Sequence, residues 1–239
     1  MFLPLKDINP TRGTAWVTMA LVAANVLVFL VQLAIGLQRS VIMGGFVPAL
    51  LFGSEPTAWR LPDGVVAPVL DPLTTLFSSM FMHGGFLHLG GNMLYLWIFG
   101  NNVEDRLGPL NFLAFYLVGG LAAAMSHALV SPGSEMPLVG ASGAVAAVLG
   151  AYWRLFPGAR VRCLLFLFFF VTFLELPASL VLGWWILIQF VNGILGLGFG
   201  SSGVAWFAHI GGFLAGIVLL MIMGVKRERR RPRVRFFRM

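Results

Sequence analysis

The sequence predicts an all-α membrane protein, a bundle of six transmembrane helices with a long external loop after the first. Two observations indicate this class. Of the 239 residues, 59% are hydrophobic and only 10% are charged, which is too apolar for a water-soluble surface. The apolar residues also fall into stretches of about 20, the length that a helix needs to cross a hydrocarbon layer roughly 30 Å thick.

The predicted spans follow one another along the chain. The N-terminus shows no signal-peptide pattern, so the first span is expected to direct insertion, and a loop with five prolines follows it. The segment NNVEDRLGP, between the second and third spans, is expected to form a polar turn. The six spans are expected at about residues 14–37, 84–101, 110–130, 142–154, 175–197 and 203–225.

The distribution of cations decides how often the chain crosses. Residues 163–174 are apolar enough for another span, but a seventh crossing would move the basic tail to the opposite side. With six spans, 14 of the 16 Lys and Arg residues share one side, and only Arg39 and Arg60 lie opposite. The positive-inside rule therefore favours six spans with both termini cytoplasmic. Residues 163–174 then form an apolar connector, interfacial or partly re-entrant.

This topology divides the chain into a cytoplasmic segment (1–13), a membrane domain (14–225) and a basic cytoplasmic tail (226–239). The tail is expected to fix the topology and to contact anionic lipids. Nucleic-acid binding is not expected, because the cations flank a span and no folded nucleic-acid-binding domain accompanies them. A bacterial inner membrane is expected from the compact core. The single cysteine, Cys163, excludes an intramolecular disulfide.

A few polar side chains lie within or beside the predicted spans, where each is costly unless it is paired. They are His83, His88, Asn92, His127, Ser142, Asn192 and His209. The fourth span is about 18 Å long, so Ser142 at its start lies roughly 10 Å below the outer surface. Helix rise places His88, Asn92 and His209 at a similar depth.

A serine and a histidine at one depth indicate nucleophilic acyl-transfer chemistry. His209 is expected to take the proton of Ser142. Free N–H groups at the start of the fourth span could hold an oxyanion, with His88 and Asn92 as further donors. Since no acidic residue is expected at that depth, a Ser–His dyad is favoured over a triad.

Small residues explain how two helices could bring these groups together, because bare helix faces let backbones approach closely. The small faces comprise Gly143, Ala147 and Gly150 on the fourth span and Gly212 and Gly216 on the sixth. Gly140 and Gly143 also frame Ser142. We expect these glycines to let the backbone and the partner helix crowd around the serine.

Three motifs resemble the rhomboid family of intramembrane serine proteases. They are HGGFLHLGGN, the GASG around Ser142 and the AHIGG around His209, in the family's order and with comparable spacing, and VEDRLG is also similar. The resemblance covers residues 14–225. It implies that Ser142 is the nucleophile and His209 the general base. It also implies an oxyanion hole formed by His88, Asn92 and the backbone N–H of Ser142.

The resemblance also implies a substrate class and a gate. The family cleaves membrane-anchored proteins in or near their transmembrane segments, without a metal or cofactor, so transmembrane protein substrates are the implied partners. Its fifth span and the adjoining loop are thought to gate substrate entry. Trp184 and Trp185 lie on that span.

Two positions depart from the family pattern. Many members carry a Trp-Arg pair just before the second span, whereas here Trp59 and Arg60 lie more than 20 residues earlier. Some members place a tyrosine four residues after the nucleophile to stack on the catalytic histidine. This position is Ala146, so another group must hold the ring of His209.

Other functions fit the sequence less well. A catalytically inactive rhomboid-like scaffold that binds membrane clients would normally lack the serine or the histidine. A zinc protease would need an HExxH-type helix, which is absent from the sequence. A transporter would be expected to show paired charges or a repeated half. For His83 and His127, hydrogen bonding in the outer loops or between helices is favoured over catalysis.

Overall fold

A computed structural model describes residues 2–53, 58–60, 64–167, 170–199 and 204–227. This part of the chain is mostly helical. Its helices are α1 (Trp16–Ile35), α2 (Leu37–Gly44), α3 (Pro48–Leu51), α4 (Pro72–Ser78), α5 (Phe86–Leu107), α6 (Pro109–Val130), α7 (Ser142–Leu155), α8 (Ala178–Phe199) and α9 (Trp206–Ile222). Its strands are β1 (Phe2–Asp7), β2 (Ala58–Arg60), β3 (Val66–Pro68), β4 (Arg160–Leu167) and β5 (Phe170–Pro177).

A helix lies at each of the six predicted span positions. Within the described residues, three helices are long and apolar enough to cross a membrane: α1, α6 and the part of α8 from Ala178 to Leu197. α9 is a shorter apolar helix, α7 has 14 residues, and α5 has 22 residues but carries several polar groups. Most of the basic tail, from residue 228 onward, lies outside the described residues.

The prediction of an all-α fold is wrong at residues 163–174. β4 and β5 form an antiparallel hairpin there, and β1 pairs with β4 to complete a three-stranded sheet. Burial alternates along β4, where Val161 and Cys163 face inward and Arg160 and Arg162 face outward. This alternation with a period of two is typical of a strand. The aromatic-rich run that follows it in the sequence is continuously apolar, so the segment resembled a membrane span rather than a strand.

The predicted polar turn after the second span is also wrong, because α5 continues to Leu107 and only Gly108, with a positive φ of 79°, separates it from α6. Glu104 accepts hydrogen bonds from the backbone N–H groups of Val17 and Thr18, at 2.9 and 2.7 Å, and from the Thr18 hydroxyl at 2.7 Å. These bonds cap the start of α1. Tertiary partners thus let a polar sequence remain helical.

The segment between α1 and α5, predicted as a long loop, contains short elements in its described part. These are α2, α3, the β2–β3 ribbon and α4. Pro48 and Pro72 occupy first-turn positions of α3 and α4, and Asp71 caps α4 by accepting from the N–H of Thr74. Phe46 bridges to Leu138, which ties this segment to the connection before α7.

α7 lies in the middle of the bundle, packed against α9, α6 and α5, and nearly all of its side chains are buried. Its contact with α9 is made backbone to backbone. A Cβ added at Gly150 would collide with the carbonyl oxygen of Phe213, and one added at Gly216 with that of Ala147. The two helices can therefore approach this closely only where both carry small residues.

A buried polar cluster joins the N-terminal strand to the helices. Asp7 accepts hydrogen bonds from the side-chain amide of Asn102 at 2.5 Å and from the Tyr152 hydroxyl at 3.0 Å. Burial raises the pKa of Asp7 to about 6, although its hydrogen bonds act in the opposite direction. Through this carboxyl, the sheet is attached to α5 and α7.

Candidate active site

Ser142 and His209 lie in direct contact. Ser142 is the first residue of α7 and His209 belongs to the first turn of α9, and the serine Oγ is 2.9 Å from the imidazole Nε2. This distance suits a hydrogen bond along which a proton can pass. Both side chains are half-buried. The arrangement therefore places a serine nucleophile within hydrogen-bond distance of a histidine that can act as its general base.

Glycines surround this contact. A Cβ at Gly212 would collide with the carbonyl oxygen of Gly143, and one at Gly143 would come within 2.6 Å of the Ala123 Cβ. Gly140, just before the serine, has φ +132°, a conformation that L side chains rarely adopt. A Cβ there would also lie 2.8 Å from the ring of His88. These positions thus leave space for the serine, its partner helix and the second histidine.

The other ring nitrogen of His209, Nδ1, contacts α8. The sequence did not predict this contact. Nδ1 of His209 lies 2.8 Å from the Oε1 of Gln189, which is buried. The ring of Trp185 lies beside the imidazole, with centroids 5.8 Å apart, and Trp206 approaches it edge-on at 6.2 Å. The available signal was one of two carboxamides in an apolar span, Gln189, which precedes the histidine by 20 residues; the other is Asn192.

His88 and Asn92 line the same cavity as Ser142 and His209. The backbone N–H of Gly84 donates to Nδ1 of His88 at 3.3 Å, so the ring proton of neutral His88 resides on Nε2. Asn92 is buried, and within the described residues its Nδ2 has no hydrogen-bond partner. The cavity therefore offers two side-chain N–H donors, next to the N–H groups at the start of α7 that no intrahelical carbonyl satisfies.

The cavity has a volume of about 910 Å³. His127, Trp185 and Ala205 also contribute to its wall, and none of the described residues that line it is acidic. A carboxylate partner for the histidine is thus absent from this lining, and Gln189, which is not one of the lining residues, contacts Nδ1 of His209 instead.

The remaining candidate residues lie in the cavity, on the outer surface and in the buried interior. Trp185 faces His209, whereas Trp184 is 52% exposed and borders a shallow outer groove. His83 is fully buried with its ring edge-on to that of His88, and its backbone N–H donates to Gln32 at 2.8 Å.

Within the described residues, no group of three His, Cys, Asp or Glu side chains could hold a metal ion.

Comparisons with known proteins show which family this chain is similar to. The family model described as "Rhomboid domain" matches residues 71–226. The chain is 30% identical over 185 residues to "Rhomboid protein 1, mitochondrial" of Saccharomyces cerevisiae, covering 74% of this chain and 51% of that protein. It is 31% identical over 211 residues to the human "Presenilin-associated rhomboid-like protein, mitochondrial", covering 87% and 48%. It is 32% identical over 152 residues to "Rhomboid protease GluP" of Bacillus subtilis, covering 64% and 26%.

The chain spans about half the length of the yeast and human relatives and about a quarter of the Bacillus protein. Two of these relatives are mitochondrial by name and the third is bacterial, so the comparisons do not support the expectation of a bacterial inner membrane. The family match includes both Ser142 and His209 as well as the segment HGGFLHLGGN. This chain is therefore a member of the rhomboid family.

Proposed function

We propose that this protein is an intramembrane serine endopeptidase that cleaves membrane-anchored proteins in or near their transmembrane segments. The observation that carries the proposal is the 2.9 Å contact between the Ser142 Oγ and the His209 Nε2 inside a cavity with further N–H donors. Family membership supports the substrate class. An inactive scaffold that only binds clients would have no use for this contact, so the intact pair favours the enzyme.

The proposed reaction is acyl transfer through a covalent intermediate. Nε2 of His209 takes the proton of Ser142 as the serine oxygen attacks the carbonyl carbon of the scissile peptide bond. The C–N bond then breaks, and the imidazolium gives its proton to the departing amine. Water attacks the resulting ester while His209 again accepts a proton. The carboxylic acid product leaves and the serine hydroxyl is restored.

The negative oxygen of the tetrahedral intermediate needs donors already in position, because they then stabilise charge without reorganisation. The Nε2–H of His88, the Nδ2 of Asn92 and the backbone N–H of Ser142 fill this role in our proposal. The positive end of the α7 dipole adds to it. No metal or cofactor takes part in the proposed chemistry.

The membrane arrangement belongs to the same proposal. We propose that α1 and α5 to α9 form six spans, with residues 1–13 and the basic tail 226–239 on the cytoplasmic side and the dyad near the outer face. Val171 and Phe173 of the hairpin are 60% and 62% exposed, which supports an interfacial position for it. Trp184 and Trp185 are proposed to lie where substrates enter beside α8. The basic tail is proposed to contact anionic lipids.

Replacement of Ser142 by alanine tests the proposed enzyme. In detergent, an activated fluorophosphonate should label the wild-type protein and leave Ser142→Ala unlabelled, and proteolysis of a transmembrane substrate should vanish with the same change. Ser179→Ala, which removes a serine hydroxyl from α8 outside the cavity lining, is the matched control and should label normally. Labelling that persists in Ser142→Ala would contradict the proposal.

A further inference from the structure

The side chain of Gln189 makes two hydrogen bonds whose directions are fixed by chemistry. Its Nε2 donates to the backbone carbonyl of Trp185 at 3.1 Å, and its Oε1 faces Nδ1 of His209 at 2.8 Å. A carbonyl oxygen can only accept, so the amide nitrogen must point toward Trp185. The amide oxygen is thereby turned toward the imidazole, where it too can only accept.

The acceptor at Gln189 selects one tautomer of His209. Nδ1 must carry the ring proton to donate to Oε1, and in the neutral ring Nε2 is then left with its lone pair. That lone pair faces the Ser142 hydroxyl at 2.9 Å. The opposite tautomer would present an N–H to the serine and could not accept its proton. The orientation of one amide thus decides whether His209 can act as a base.

We propose that Gln189 is a positioning residue for this reaction, which fixes the base-competent tautomer and the ring orientation of His209. The inference rests on the proposed function. It assigns to a neutral carboxamide the place that a carboxylate holds in a Ser–His–Asp triad. Because Gln189 is buried in a span-length helix, a neutral acceptor also avoids the cost of an ionised side chain in an apolar region.

Gln189 lies on α8, whereas the serine and the histidine lie on α7 and α9. The same helix supplies Trp185, whose ring lies beside the imidazole. A displacement of α8 away from α9 would remove both contacts together. The base-competent state of His209 therefore depends on α8 being docked.

The kinetic test replaces the acceptor without changing the length of the side chain. Gln189→Met should lower kcat about tenfold while KM changes less than about twofold, because the lost hydrogen bond acts on the imidazole and not on substrate binding. Gln189→Glu, which keeps an acceptor oxygen, should restore kcat to within about threefold of wild type. Asn192→Leu, a change from amide to hydrocarbon on the same helix, is the matched control and should leave both constants unchanged.

A second measurement needs no change at Gln189 and no catalytic activity. In wild-type protein labelled with ¹⁵N-histidine, the His209 resonances, identified by their loss in His209→Ala, should show a protonated Nδ1 and an unprotonated Nε2 near neutral pH. A bare Nδ1 would overturn the inference, as would an unchanged kcat in Gln189→Met or equal losses in the Met and Glu variants. If wild-type protein neither labels nor cleaves, the proposed function fails, while the tautomer measurement still decides the role of Gln189.

Discussion

The imidazole of His209 is the group on which the chemistry depends, and its contacts come from three helices, α7, α8 and α9. Ser142 faces one ring nitrogen and Gln189 the other, and Trp185 and Trp206 lie beside the ring. The position four residues after the serine, Ala146, is fully buried inside α7. The ring is therefore held from α8 and from its own helix rather than by an aromatic residue on the serine helix.

A prediction at this scale concerns pH. A protonated imidazole cannot accept the Ser142 proton, so kcat/KM should fall on the acid side as His209 becomes charged. The check is a profile of kcat/KM from about pH 5 to 8. His127 lines the same cavity, and the His127→Gln variant should keep the acid limb of the profile. A flat wild-type profile over this range would contradict the role of His209.

At the scale of elements, the packing of α7 against α9 decides whether the dyad can form. The closest approaches involve backbone atoms of Gly143, Ala147 and Phe213, which would meet a Cβ at the facing glycines. Backbone cannot move aside as the end of a flexible side chain can. The separation of the two helices is therefore determined by glycine on both sides.

Substitution of one of these glycines tests the helix contact. Gly216→Ala would place its Cβ against the Ala147 carbonyl and should lower stability by about 1–3 kcal/mol, with weaker fluorophosphonate labelling because α9 must shift. On α8, a Cβ at Gly183 meets nothing within 4 Å, so Gly183→Ala should be neutral or stabilising by up to about 1 kcal/mol. Thermal unfolding in detergent compares the two. Equal stability of the two variants would show that the α7–α9 contact tolerates a methyl group.

At the scale of the whole molecule, the sheet formed by β1, β4 and β5 attaches the N-terminus to the helical bundle. Asp7 joins β1 to α5 and α7 through Asn102 and Tyr152, and Glu104 joins α5 to the start of α1. Arg106, near the end of α5, also donates to the carbonyl of Lys226 at 2.8 Å, which attaches the residues that follow α9 to α5. The contact between Asp7 and Tyr152 lies near the opposite end of α7 from Ser142.

The raised pKa of Asp7 predicts a pH-dependent stability. In the folded protein the carboxyl of Asp7 stays protonated up to about pH 6, whereas in the unfolded chain it loses its proton near pH 3.8. The free energy of unfolding should therefore fall as pH rises between these two values and stay lower above them. Asp7→Asn keeps an acceptor oxygen for Asn102 and Tyr152 but cannot ionise. Relative to this variant, the wild-type Tm should fall by several degrees between about pH 4.5 and 7.5. Parallel Tm values would contradict the prediction.

The positions of the long helices and the family can be predicted from the sequence alone, because both depend on residues that are close together in the chain. Apolar runs predicted the approximate positions of α1 and of α5 to α9, and the start of α7 at Ser142 follows from the polar and small residues around it. The motifs around Ser142 and His209 identified the family that residues 71–226 match. Helix rise alone predicted that these two side chains would share a depth, although it could not give their contact.

Tertiary structure alone decided the features that depend on distant partners. The β4–β5 hairpin pairs with a strand about 160 residues away, and the helical form of NNVEDR depends on groups at the start of the chain and near its end. The role of Gln189 could not be predicted, because the fifth span carries two carboxamides, Gln189 and Asn192, and no sequence pattern indicates which of them meets the histidine. Local sequence fixes which residues a helix buries, but only packing determines which polar atoms meet, since a hydrogen bond requires its two atoms to lie within about 3 Å of each other.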